Sequence, residues 1–129
     1  MSNFPQDLKY DKEHEWVRVQ GDSAVVGISD FAQDQLGEVV YVDLPEAGSE
    51  IVAGETFGEI ESVKSVSDLF APVSGTVAEV NANLGDAPET INEDPYGEGW
   101  LVKVTMSDAS EVDALMPAPE YETFVAGEA

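Results

Sequence analysis

Residues 58–75 read GEIESVKSVSDLFAPVSG, and the fold class turns on how this stretch divides. In TFGEIES, residues 56–62, Phe57, Glu59 and Glu61 alternate with Gly58, Ile60 and Ser62, the period of a half-buried strand. SVSDLF, residues 65–70, runs back with Val66, Leu69 and Phe70, and APVSG turns the chain again. Lys64 falls between the two runs, at the tip of a hairpin. It is the only basic residue between Arg18 and Lys103. A lysine in a turn is ordinarily just solvated. Here its neighbours Ser62, Val63, Ser65 and Val66 are small or β-branched, which predicts a stiff tip and an unobstructed amine. Flanked by Glu61 and Asp68, it makes a good target for a modifying enzyme that reads hairpin shape.

Outward from the hairpin, most periodic segments also read as strands. EWVRVQ alternates, Gly-Asp makes a turn and SAVVGIS follows as the return strand, and EVVYVDLP resumes with β-branched and aromatic residues until Pro45. TVAEVN and WLVKVTM close the set, with the looser NANLGDAPETINEDPYGEG between them. Asp30 and Gln33 stand at capping-box spacing and Gly37 where a helix stops, which predicts a short helix near residues 30–36. SDASEVDALM has a cap candidate, an acidic first turn and apolar Val112, Leu115 and Met116 ahead of Pro117. That predicts a C-terminal helix near 108–116. The pattern is mostly β: a small sandwich or a partly open barrel.

Composition narrows the function classes. The chain has 129 residues, of which 43% are hydrophobic, enough for one domain with a core. Its 27 Asp and Glu against 5 Lys and Arg leave a formal net charge of −22. Nucleic-acid binding needs basic groups opposite phosphates, so that class is excluded. The acids are spread along the chain and must coat the folded surface, as in proteins of salt-loving organisms. No window resembles a membrane span, and MSNFPQDLKYDKEHEW has neither an apolar signal core nor an Arg-rich transit pattern. The expectation is a cytoplasmic protein. Cysteine is absent, which removes disulfides, thiol nucleophiles and thiolate metal sites.

Gly48, Gly54, Glu61, Lys64, Pro72 and Gly75 follow the spacing of lipoyl and biotinyl carrier domains. The segments KYDKEHEWV, VGISDFAQDQLGEVVYVDLPEAG, GEIESVKSVSDLFAPVSGTVAEVN and NEDPYGEGWLVKV further resemble the H-protein family of the glycine cleavage system. The resemblance runs from residue 8 to about 125, in order. Biotinyl lysines usually sit between methionines, and here Val63 and Ser65 take those places. Lipoyl domains of 2-oxoacid dehydrogenases usually carry Asp-Lys-Ala, whereas Val63 precedes the lysine here.

The resemblance implies a small hybrid barrel-sandwich: one lipoyl-carrier domain over residues 1–129, with N- and C-terminal extensions. It implies lipoate attached covalently at Lys64 as N6-lipoyllysine. It further implies a shuttle rather than an enzyme, since no Ser-His-Asp or metal constellation is visible. The arm would collect an aminomethyl group from a pyridoxal-phosphate glycine decarboxylase and deliver it to an aminomethyltransferase that uses tetrahydrofolate. Dihydrolipoamide dehydrogenase would reoxidise the arm, and a lipoyl-attaching enzyme would install it. Neither nucleic acid nor membrane enters this scheme. Two other readings stay open: an H-like lipoyl carrier for lipoate relay or sulfur oxidation, and an acidic binding module with an unmodified lysine.

The aminomethyl cargo is cationic and labile in water, and carboxylates beside the arm would shelter it. The family's cleft is lined by the glutamate of HEW and the acid four residues after the lysine, here Glu15 and Asp68. Glu13 is a third candidate. His14, the only histidine, lies between Glu13 and Glu15, but alternation on a strand would keep it off a shared face, so no metal site is expected. Gln35 stands where some family members carry a helix histidine. NEDPYGEGW reads as a turn fixed by Pro95, Gly97 and Gly99.

Overall fold

The computed structural model describes residues 4–128 and consists mainly of two antiparallel sheets. Strands β1 (Lys9–Tyr10), β2 (Glu15–Gln20) and β3 (Ser23–Ile28) lead into helix α1 (Asp30–Leu36) and strand β4 (Val39–Asp43). Then follow β5 (Glu50–Ile51), β6 (Thr56–Ser62), β7 (Val66–Phe70) and β8 (Gly75–Val80). Two single-turn helices, α2 (Asn83–Asp86) and α3 (Thr90–Glu93), precede β9 (Val102–Met106). A 3-10 helix at Ala109–Ala114, strand β10 (Met116–Pro117) and helix α4 (Ala118–Glu128) end the chain.

The larger sheet has the order β10-β1-β2-β3-β9-β8-β5, and the smaller the order β4-β6-β7. Strand β3 explains why SAVVGI reads as a near-continuous apolar run: it is covered on both faces. Ala24 and Val26 pack with Val17, Val73, Val77, Val102 and Val104. Val25 joins Tyr10, Trp16, Tyr121 and Val125 in the cluster beneath α4. A third cluster, with Ile28, Val39, Ile60 and Leu69, lies under the β6–β7 hairpin and seats its inward residues.

Both predicted helices have counterparts, with different details. At α1 the cap is Ser29, whose Oγ accepts from the Ala32 amide; Asp30 is already inside the helix and its carboxylate accepts from the Gln33 side chain. The C-terminal expectation over 108–116 meets a 3-10 helix at Ala109–Ala114, and the α-helix forms after Pro117 instead. The cause is local. Asp108 accepts from the Ser110 amide and hydroxyl, which holds the entry in a turn. The residue before Pro117 is kept extended by the proline ring, so Met116 pairs with Tyr10 as a strand. Pro119 falls in the first turn of α4, where its missing N–H costs nothing. Lys9, in a segment without regular pattern, is also in a strand, paired with Val17 and Pro117.

The NEDPYGEGW loop is pinned to the core at its aromatic and backbone groups, while Glu93, Asp94 and Glu98 stay exposed. Trp16 Nε1 donates to Pro95 O at 2.9 Å, and Arg18 donates to Tyr96 O at 2.9 Å. The buried Asn81 donates to both Glu98 O and Trp100 O.

Candidate functional site

Lys64 sits exposed at the tip between β6 and β7. Ser62 sets the turn. Its hydroxyl donates to Ser65 O and accepts from the Lys64 and Ser65 amides, while its own amide donates to Ser65 O at 2.8 Å. The tip is also stitched to the end of α1, because the Val63 amide donates to Glu38 O. Gly37 there has φ 80, and a Cβ on it would meet Lys64 Cε at 2.8 Å. A side chain at residue 37 would therefore displace the lysine stem as well as strain the backbone. Among the described residues the Lys64 ammonium has no carboxylate partner, whereas Lys103 pairs with Glu79 at 3.5 Å.

Sequence reasoning missed the brace beneath this tip. Asn92 of α3 donates to Gly37 O and to Gln33 Oε1, and its Oδ1 accepts from the Val39 amide. It locks the α1–β4 corner on which Lys64 rests. An asparagine a few residues before Pro95 is a common turn feature, and nothing in its spacing announces this partner.

Beside the tip runs a cleft of about 500 Å³ between the free edge of β7, helix α1 and residues 13–15. Its apolar lining includes Ile28, Phe31, Leu36, Ile60 and Leu69. Glu13, Glu15 and Asp68, the three carboxyls singled out from the sequence, all line it, as does Gln35. Their environments differ sharply. Glu13 and Asp68 are exposed, whereas Glu15 is 1% exposed.

Glu15 is held from two sides. Its Oε2 accepts from the Phe70 amide at 2.9 Å, which satisfies an N–H on the open edge of β7. Its Oε1 is buried without a hydrogen-bond partner. Asp11 lies alongside, its Oδ1 accepting from the amides of Glu13 and Glu15. Burial, and then the Asp11 carboxyl, push the Glu15 pKa up to about 11. Asp11 is raised too, chiefly by burial, but the hydrogen bonds it accepts oppose the shift. Of the pair, Glu15 carries the proton. At neutral pH it is an uncharged acid, not the anion the sequence suggested.

His14 is committed elsewhere. Residues 11–14 form a turn, with the His14 amide donating to Asp11 O and His14 at φ 70, so strand alternation does not govern its direction. Its Nδ1 meets the Tyr121 hydroxyl at 2.8 Å, and its ring lies against Phe31. The same hydroxyl reaches Ser29 Oγ at 2.7 Å, so α4 is tied to the back wall of the cleft. Among the described residues no group of three His, Cys, Asp or Glu side chains could hold a metal ion.

The sequence profile described as Glycine cleavage H-protein matches residues 8–128. Two curated relatives bear the name Glycine cleavage system H protein. The one from Symbiobacterium thermophilum is 57% identical over 124 residues, covering 96% of this chain and 97% of its own. The one from Halalkalibacterium halodurans is 56% identical over 128 residues, covering 99% and 100%. A crystal structure of a glycine cleavage system H protein from Mycobacterium marinum superposes with a TM-score of 0.88 at 43% identity, over 95% of this chain and 99% of that one. That neighbour shares the barrel-sandwich arrangement of two open sheets built here around the Lys64 hairpin and its cleft. The chain belongs to the glycine cleavage H-protein family.

Proposed function

We propose that this chain is the lipoyl-bearing shuttle of a glycine cleavage system, acting in the cytoplasm as one carrier domain over its whole length. It takes an aminomethyl group from glycine decarboxylase to the aminomethyltransferase and passes electrons to dihydrolipoamide dehydrogenase. The observation that carries the reading is Lys64, unpaired on a hairpin tip fixed by Ser62, beside a half-apolar cleft. Lys9 and Lys103 lie within strands, and Lys103 also packs on the Trp100 ring.

The residues present fit a lipoyl group. Acylation of Lys64 removes its charge, and an alkyl chain suits a lining of Phe31, Leu36 and Ile60. When bound, lipoate supplies a disulfide that opens to take up the cargo and closes again on reoxidation. The chain's own part is to tether, to shelter and to keep water out. Tethering at Lys64 raises the effective concentration of the arm at each docked enzyme. Asp68 and Glu13 supply negative charge at the mouth of the cleft, where a cargo ammonium would be held. Glu15, uncharged, braces the floor, accepting from the Phe70 amide and facing the Asp11 carboxyl. The chain acts as a carrier rather than as an enzyme.

Peptide mapping of protein from its native host tests the reading. The lipoyl group is expected on Lys64 and on no other lysine. Lys64→Arg should abolish activity in the reconstituted cycle yet leave stability within about 0.5 kcal/mol, as for most surface substitutions. Native protein with Lys64 bare would overturn the carrier assignment.

A further inference from the structure

Among the described residues six large apolar side chains are strongly exposed, and four of them, Val40, Tyr41, Val63 and Val66, lie on β4 or the β6–β7 hairpin. The pairing explains their grouping. Tyr41 stands opposite Glu61, and Glu61 opposite Val66, so Tyr41 and Val66 flank one position of β6 on the outward face. Val63 follows at the tip next to Lys64. They are 57%, 58% and 65% exposed respectively, in a chain whose charge would let it cover its surface with acids. One register step further from the tip, Asp43, Glu59 and Asp68 form an acidic row. The outer face of this sheet thus gathers Tyr41, Val63 and Val66 around the exposed Glu61 near the lysine, with the acidic row behind them. It faces away from Ile60 and the core.

We propose that this face, Tyr41, Val63 and Val66 backed by Asp43 and Glu59, is the docking surface for the enzyme that acylates Lys64, a partner presenting an apolar contact flanked by basic residues. The inference rests on the carrier reading and adds the partner's footprint to it. Reach selects this occupant over the other enzymes of the cycle. An unmodified lysine extends only its own side-chain length, so an enzyme acting on its amine must touch the hairpin beside it. Enzymes that act at the far end of the finished arm stand off by the arm's length. Charge selects the partner's rim, since the acidic row is repelled by any acidic surface and attracts a basic one. The chemistry is amide formation with a lipoyl group activated as an acyl-adenylate. The uncharged Lys64 amine attacks the acyl carbon, the C–N bond forms as the C–O bond to phosphate breaks, AMP departs, and a proton leaves to solvent.

The test uses whole unmodified protein, lipoate, ATP and a lipoyl-attaching enzyme, with initial rates read by intact mass. The variant Tyr41→Gln/Val63→Thr/Val66→Thr keeps β-branched shape at both valines and removes the apolar contact. It should lower kcat/KM for attachment about tenfold. The variant Asp43→Asn/Glu59→Gln should flatten the decline of that rate with added salt. Once fully lipoylated, both variants should match wild type in the steady-state glycine cleavage rate. Attachment rates and salt dependence equal to wild type would overturn the proposal, as would equal losses in attachment and in the loaded cycle. Matching melting temperatures check the fold; if the triple variant fails there, Tyr41→Gln alone and the charge variant carry the same decision. A wild-type chain that accepts no lipoyl group would overturn the carrier reading itself, and this proposal with it.

Discussion

Glu15 costs the fold stability, and its pH dependence has a definite sign. A carboxyl whose pKa rises on folding, from 4.5 to about 11, holds a proton that the unfolded chain gives up above pH 4.5. The unfolded state then binds fewer protons, so stability falls as pH rises through that window. Glu15→Gln copies the uncharged acid: its amide oxygen can still accept from the Phe70 amide, and its NH2 can face Asp11. The variant should be more stable than wild type at pH 7 by about 1–3 kcal/mol, a gap that narrows as pH falls through 4.5. Paired urea melts across pH 4 to 8 measure it. A second residue-scale prediction concerns the loaded carrier. Asp68 shares the charge at the mouth of the cleft with Glu13, so Asp68→Asn should speed spontaneous loss of formaldehyde and ammonia by up to about fivefold, in line with a partly exposed ion pair. Glu15→Gln should change it less. Equal release from all three proteins at equal salt would remove the electrostatic shelter.

Elements rather than residues hold the cleft open. The β6–β7 hairpin lies close against the end of β4 because Gly58 has no side chain: a Cβ there would collide with Asp43 O. That neighbour is backbone and cannot rotate away. Gly58→Ala should therefore cost about 1–3 kcal/mol by chemical denaturation, the range of overpacked cores. The back wall depends on α4, whose Tyr121 hydroxyl reaches His14 Nδ1 and the buried Ser29 Oγ. Tyr121→Phe keeps the ring stacked 4.5 Å from Tyr10 and removes the hydroxyl alone. The expected loss is about 1–2 kcal/mol, since the buried Ser29 gives up a partner. This link passes through the cap of α1, so the same variant should also raise hydrogen exchange at the Ala32 amide, which Ser29 caps.

On the scale of the whole molecule, charge dominates. A net charge of −22 on a protein of 13.8 kDa repels itself wherever counter-ions are scarce. At 0.01 M salt the Debye length is about 30 Å, comparable to the protein, and at 1 M it is about 3 Å. The melting temperature should climb markedly between these limits. A melting curve indifferent to salt would remove the case for a salt-adapted source and leave the carrier assignment untouched. Partner encounter should follow the opposite trend, because the acidic row on the outer sheet works by attraction that salt screens.

The sequence by itself determined the strand period, the hairpin and Lys64 at its tip, because each is a local matter: alternation of apolar residues, small tip residues and turn punctuation. It also carried the family's segments in order from residue 8 onward. Only the tertiary structure decided what the acids and the ends of the chain do. Glu15 and Asp68 are both carboxyls of the same cleft, yet one is buried against Asp11 and the Phe70 amide while the other meets water. No local pattern encodes that difference. Asn92 braces Gly37 from 55 residues away, and Tyr121 reaches His14 from 107 residues away. The C-terminal helix could not be located from its apolar spacing, because pairing of Met116 with Tyr10 and the ring of Pro117 decide where it starts. Burial and long-range pairing set protonation and position, and both arise only when distant segments share a core.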